Sequence, residues 1–297
     1  MNAGISNIKQ RRSGVKRFLS LGAGVQSSYL LLQAATGVRA PYDYAIFANT
    51  KREPRKVMEW LGWLKEEVAR SKYPFPIIEV SAGDLGAEAV RVRTSKKTGN
   101  RYVKTLLPAY VAKANGKRAM MGRRCTVDYK IRVLTKTQRK LAKVPRARRG
   151  VTPKVMAEIT VGFSYDEWQR MKPNEEKWAV NVFPLVDEKV TRDQCIAWVE
   201  DTYGRTPPKS ACVFCPFHGD AYWQQMKDQE PEEFAQAVQF DTDLRAAAEA
   251  QTGTARLQGA VYLHESLRPL SQVVFKDTPE RAQQEQFGFN CAGLCGV

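Results

Sequence analysis

The hydrophobic pattern opens with a β-prone run over residues 15–21 that contains Val15, Phe18, Leu19 and Leu21. It breaks into Gly22, Ala23, Gly24, Val25, Gln26, Ser27 and Ser28, and a helical run follows over 29–35. A second strand is predicted over 42–48, ending at Asn49 and Thr50, and then a helix over 57–68 with Trp60, Leu61 and Leu64 on its apolar side. A third strand is predicted over 76–80, and further strands over 156–162 and 180–185, with a helix over 192–203. Strands and helices alternating at these lengths predict an α/β fold, a parallel twisted sheet with helices on both faces.

Between these elements the pattern is polar. Residues 95–101 read as an exposed hairpin or loop, 111–118 as a helix followed by a turn, and 127–141 as a basic helix. Residues 143–154, with their prolines and arginines, read as a mobile loop. Beyond 203 the composition changes: a Pro-rich stretch over 204–209 precedes Cys212-x-x-Cys215, a helix is predicted over 231–250, and 262–270 reads as a short extended segment. The expected organisation is a basic tail over 1–16, a main domain over 17–204 with a basic insertion around 91–154, and a small helical, cysteine-containing region over 205–297.

Charge sharpens this picture. The net charge is +16, yet residues 91–154 alone carry 21 Lys and Arg against one acid, Asp128, leaving the rest of the chain slightly acidic. So concentrated a field attracts phosphates, of a nucleotide or of a nucleic acid. No apolar run approaches the ~20 residues a membrane span needs, and residues 1–17 carry five Lys and Arg without an apolar segment. A cytoplasmic protein that engages no membrane is the expectation. The two histidines, His218 and His264, are too few for a His-rich metal site.

Candidate chemistry falls in two places. Glycines where a strand turns into a helix let backbone N–H groups approach a phosphate, and the helix dipole adds to the attraction. Gly22 and Gly24 occupy such a turn, with the hydroxyls of Ser20, Ser27 and Ser28 beside it. No Gly-Lys-Ser/Thr ending or G-x-G-x-x-G fingerprint is present, which excludes a Walker loop and a dinucleotide-binding turn of the usual kind. Cys212-x-x-Cys215 puts two thiolates on one tight turn, a spacing shared by zinc and iron–sulfur sites. His218, three residues beyond, is an alternative ligand for zinc.

Residues 20–28 resemble the Ser-Gly-Gly-x-Asp-Ser loop of the PP-loop ATP pyrophosphatases and phosphoadenylyl-sulfate reductases, an adenine nucleotide α-hydrolase-like superfamily with a sulfur-transfer branch. Three further segments match in the family's order. Phe47 to Glu53, including Asn49 and Thr50, resembles its second-strand segment beside the nucleotide. Arg124, Cys125, Thr126, Tyr129 and Lys130 resemble its Cys…Lys element, and Gly162, Phe163, Ser164, Tyr165, Asp166, Glu167 and Arg170 its strand-end motif. Pro184, Leu185, Cys195, Trp198 and the Cys212-x-x-Cys215-Pro run continue the resemblance, which covers roughly residues 17–225. Three departures stand out. Gly22 takes the place of the first serine, Ala23 that of the first glycine, and Gln26 that of the acid that helps hold Mg²⁺.

The resemblance implies an enzyme with a HUP-like fold that binds ATP, with Mg²⁺, or adenylyl sulfate at Ser20, Gly22, Gly24, Gln26, Ser27, Ser28, Asn49, Thr50 and Gly162. Arg124, Lys130 and Arg170 would hold phosphate or sulfate. Cys125 would join Cys212 and Cys215 around a [4Fe–4S] cluster or, alternatively, Zn²⁺, with Cys195 as fourth ligand and His218 in reserve. Cys291 and Cys295 resemble the reductases' terminal Glu-Cys-Gly nucleophile, with Asn290 in place of the acid. The basic segment favours ATP-dependent adenylation and sulfur transfer to a nucleic acid, by transfer-RNA thiolation or DNA phosphorothioation, with a sulfur-donor protein. Adenylyl-sulfate or phosphoadenylyl-sulfate reduction, with a thioredoxin-like reductant, is the alternative. A non-catalytic nucleotide-binding or nucleic-acid-binding relative is the third reading.

Overall fold

In the computed structural model of the chain, residues 14–146, 154–253 and 259–276 are described. Most of the basic tail, residues 147–153 of the predicted loop, and both Cys291 and Cys295 lie outside them.

In chain order, β1 (Lys16–Leu21), α1 (Val25–Thr36), β2 (Tyr44–Ala48), α2 (Arg55–Ala69), β3 (Ile77–Val80) and α3 (Leu85–Val90) come first. Two hairpins follow, β4 (Arg93–Thr94) with β5 (Arg101–Tyr102) and β6 (Tyr110–Ala112) with β7 (Arg118–Met120). A π-helical turn, Val127–Ile131, runs into α4 (Arg132–Leu141). Then come β8 (Ala157–Val161), a 3₁₀ segment Tyr165–Arg170, β9 (Ala179–Val182), α5 (Pro184–Asp187) and α6 (Arg192–Tyr203). α7 (Asp220–Gln229), α8 (Pro231–Glu249), β10 (Ala260–Tyr262) and a 3₁₀ turn, Leu270–Gln272, complete the described elements.

Five strands form one parallel sheet in the order β3-β2-β1-β8-β9. Side-chain alternation divides its faces. Leu19, Leu21, Ala45 and Phe47 pack under α1, α2 and α6, whereas Phe18, Ile46 and Ile159 pack under α4 with Leu134 and Ala142. Both faces are thus covered, as a parallel sheet requires. The α/β architecture follows the sequence pattern, and its layout is compatible with a Rossmann-like or HUP-like fold.

A third cluster joins distant parts of the sequence. Leu85, Leu106, Leu107 and Tyr129 pack with Val213, Phe214, Trp223, Leu244 and Val261. Val111 pairs with Val261 as β6 lies antiparallel to β10, so a long-range strand stabilises a segment with little local preference of its own.

That pairing explains one correction. Residues 111–118, expected as a helix and turn, form the β6–β7 hairpin, closed at Lys113 and Lys117 through Asn115 and a left-handed Gly116 (φ +74°). Asn-Gly is itself a hairpin signal. Two smaller shifts have local causes. β9 stops at Val182 because Pro184 opens α5, and the extended segment expected over 262–270 lies earlier, at β10. The helices α3 and α7 are additions to the predicted elements.

Candidate functional site

In the order β3-β2-β1-β8-β9 the sheet reverses its direction of growth between β1 and β8. The crevice beyond the carboxyl ends of such a pair is where open α/β sheets bind ligands. Here it opens into a cavity of about 150 Å³.

One wall is the predicted glycine turn. Gly24 is the N-cap of α1 and offers no side chain to its first turn, so backbone donors at this end lack a side-chain partner. Gly24, Val25 and Gln26 line the cavity. Ala23 is driven to φ +53°, a region in which glycine is favoured. Close packing fixes the turn. A Cβ on Gly24 would come to 3.0 Å from Ser210 Cβ, and one on Gly162 to 3.0 Å from the Ser27 nitrogen. Ser210 also donates its hydroxyl to the Gly22 carbonyl, pinning the segment before the CxxC turn onto the loop.

The serines brace the turn and do not line the cavity. Ser27 Oγ accepts from the Gly22 N–H at 3.2 Å and donates to the Gly24 carbonyl at 3.4 Å. Ser28 Oγ accepts from Trp60 Nε1 at 2.8 Å, and Ser20 Oγ accepts from Gln138 Nε2 at 3.5 Å. Asn49 is likewise committed, donating to Glu79 at 2.6 Å and accepting from the Lys51 N–H at 2.6 Å. Of the expected nucleotide contacts, Gly24, Gln26, Thr50 and Gly162 line the cavity, while Ser20, Gly22, Ser27, Ser28 and Asn49 do not.

Gln26 is held on three sides. Its amide donates to Glu167 at 2.9 Å and to Ser164 at 3.3 Å, and its carbonyl accepts from Arg192 at 3.1 Å. Across from it, Glu167 also binds Arg170, and Asp166 accepts from Ser164 at 3.3 Å and from the Arg192 N–H. The two acidic side chains of the lining are therefore engaged within the wall.

Five basic side chains line the same space: Arg123, Lys130, Arg170, Arg192 and Lys209. Lys130 is only 6 % exposed. Burial disfavours its ammonium, but the opposing negative charge, Glu53 foremost, holds its pKa above the usual lysine value. It is therefore cationic at neutral pH, and among the described residues no hydrogen bond or ion pair engages its amine. Arg170 stacks over Phe163 at 4.5 Å, with its Nε buried and unpartnered. Arg124, expected at the anion, instead lies exposed against Asp128 at 3.2 Å, and its neighbour Arg123 faces the cavity. The π-helical turn over Val127–Ile131 follows them and presents Lys130 inward. Arg123, Arg192 and Lys209 were not among the expected contacts. Nothing in their local pattern separates them from solvated basic residues, except that Lys209 adjoins the Pro-rich run beside the CxxC.

Three cysteines share this cavity. Cys125, Cys212 and Cys215 all line it, and the CxxC turn is closed by the Cys215 N–H to the Cys212 carbonyl at 3.0 Å. Burial pushes all three thiols up, Cys212 furthest, so without a metal they are neutral and weakly nucleophilic at neutral pH. Thr50 Oγ lies 3.3 Å from Cys212 Sγ. In kind this donor set suits a thiolate-bound metal. As the side chains stand, however, no three His, Cys, Asp or Glu groups among the described residues are placed to hold an ion.

The expected fourth ligand lies elsewhere. Cys195 is fully buried on the inner face of α6 beside Val199, one turn away, in the core formed with α1. Desolvation raises its pKa to about 12. His218 donates from Nε2–H to the Cys212 carbonyl at 2.8 Å, and burial lowers its pKa to about 3. The ring is therefore neutral; it stacks on Tyr222 at 4.1 Å and braces the CxxC turn from behind. His264 is structural too, bridging Asp220 at 2.9 Å and Ser266 at 2.8 Å.

No helix among the described residues is long and apolar enough to cross a membrane. No protein-family model, curated protein or solved structure matches the chain.

Proposed function

We propose that the cavity binds the phosphates of an adenine nucleotide and that the chain is a PP-loop enzyme of the adenylating, sulfur-transferring kind. The observation that carries this reading is one cavity at the sheet's switch point that combines the Gly24 turn, the buried cation of Lys130 and three thiols. Backbone donors and a helix N-terminus suit phosphate oxygens, and five cations around them suit a polyanion. Mg²⁺ would enter with the phosphates, which with water supply much of its coordination.

In this reading an acceptor oxygen attacks the α-phosphorus of ATP and pyrophosphate leaves. Sulfur then attacks the activated carbon or phosphorus, and AMP departs with the former acceptor oxygen. The field of the 91–154 segment favours a nucleic-acid acceptor, transfer RNA or DNA, with sulfur supplied by a donor protein. Cys125, Cys212 and Cys215, which line one cavity, would hold a [4Fe–4S] cluster or Zn²⁺; such a cluster could carry sulfur, whereas zinc would be structural. No step above depends on it.

Calorimetry with ATP tests the nucleotide site. Gly24→Val places a branched side chain against Ser210 and the phosphate approach, so binding should fall below detection in a variant that keeps its circular dichroism. Unchanged affinity would remove the basis of the assignment. Release of sulfite from adenylyl sulfate with thioredoxin, and no turnover of ATP, would establish the reductase alternative instead.

The metal has its own test. Protein purified anaerobically should contain iron and absorb near 400 nm, or contain zinc, in stoichiometric amount. Cys125→Ala and Cys215→Ala should each lower that content severalfold, while Cys195→Ala leaves it intact. Metal-free wild-type protein would dismiss the cluster and leave the nucleotide site standing.

A further inference from the structure

The 3₁₀ segment Tyr165–Arg170 has two dissimilar sides. Asp166, Glu167 and Arg170 face the cavity. Tyr165, Trp168 and Met171 are instead 43 %, 53 % and 36 % exposed. A kink at Glu167 (φ −112°, ψ 16°) interrupts the segment, and Met171 follows it in extended conformation. A tryptophan with more than half its surface in water loses the stabilisation that burying so large a ring would bring. Trp168 lies in sequence between Glu167 and Arg170, both of which line the cavity.

A second surface leaves the same cavity. From Lys130 the chain continues into α4, where Arg132, Lys136 and Lys140 are exposed at intervals of four residues. That spacing places cations about 6 Å apart along one helix face. Asp128, the one acid of this segment, is held by Arg124 and Arg132. Aromatic faces beside a row of cations make up the usual surface for unpaired nucleic acid: bases stack on the rings and phosphates follow the cations. A duplex can use the cations but keeps its bases stacked inside.

We propose that the acceptor is an unpaired stretch of nucleic acid, its phosphates on Arg132, Lys136 and Lys140 and one base stacked on Trp168. This rests on the reading of the cavity as the reaction centre. It adds that the acceptor is single-stranded or looped at the site of reaction. The extended chain would then lead a neighbouring nucleotide inward between the 3₁₀ segment and the start of α4.

Fluorescence anisotropy at ~50 mM salt, with a labelled oligonucleotide of about 16 nucleotides as a single strand and as its duplex, tests this directly. The single strand should bind the wild type more tightly. Trp168→Ala should weaken it roughly tenfold without changing its salt slope, and should leave duplex binding unaltered; Trp168→Phe should restore most of the loss. The Lys136→Glu, Lys140→Glu double variant should weaken both forms and flatten the salt dependence. Equal losses on both forms with Trp168→Ala, no loss on the single strand, or a wild-type preference for duplex would each overturn the proposal. Calorimetry with ATP separates the two readings. ATP binding with an inert Trp168→Ala change rejects the stacking surface alone, whereas tight single-strand binding without ATP binding rejects the cavity's reading alone.

Discussion

Lys130→Met is expected to reduce ATP affinity by at least about thirty-fold while the circular dichroism spectrum stays that of the wild type. The amine is almost wholly buried, cationic, and engaged by no hydrogen bond or ion pair among the described residues, yet it lines the cavity. An ammonium so placed has a ligand oxygen as its natural partner. Truncating one member of a buried charge pair costs about 2–5 kcal/mol of binding. Methionine keeps the length and the apolar stem, so the packing of the π-helical turn beside Tyr129 and Leu134 is preserved. Calorimetry across Lys130→Met, Lys130→Arg and wild type reads the effect. Arginine retains the charge but not the shape of a point donor, and should fall between the other two. ATP affinity equal to wild type in Lys130→Met would place the phosphates elsewhere in the cavity, next to Arg123 or Arg192.

The sheet was legible in the sequence because its strands are short apolar runs ending at glycine or polar turns. β1 and β2 are flanked by such breaks, and α6 is announced by a Thr191 and Gln194 capping box. The site was legible where it consists of backbone: Gly24 and Gly162 face the cavity as their strand-end positions imply. It was less legible where side-chain direction decides. Ser27 and Ser28 are at the start of a helix buried on nearly every side, and its turn points their hydroxyls at the loop and at Trp60. Arg123 and Arg124 are adjacent, and only the fold selects which of them faces inward. Cys195 shows the same limit, since its place on the inner stripe of α6 follows from packing against α1. The convergence of Cys125 with the CxxC turn on one cavity, by contrast, depends on a core assembled from residues more than a hundred positions apart.

That core gives the second large effect. Trp223 is fully buried on α7, edge-on to His218 at 4.8 Å and to Phe234 at 6.5 Å. His218 in turn holds the Cys212 carbonyl, so the ring supports the CxxC turn from the side opposite the cavity. Trp223→Ala should destabilise the protein by about 3–5 kcal/mol, the range for large aromatic truncations in a core. One feature moderates the loss: the indole Nε1 is buried without a partner among the described residues, and an unmet donor of this kind costs about 1–3 kcal/mol. Trp223→Phe removes that donor and keeps most of the apolar ring. It should therefore lie within about 1 kcal/mol of wild type, whereas Trp223→Ala lowers the thermal midpoint by on the order of 10 °C. Urea titrations of the three proteins, followed by far-ultraviolet circular dichroism, measure both differences. A phenylalanine variant as unstable as the alanine one would mean that the indole N–H is satisfied in solution, and that its bond, more than the ring's packing, keeps the cysteine turn against the Gly24 loop.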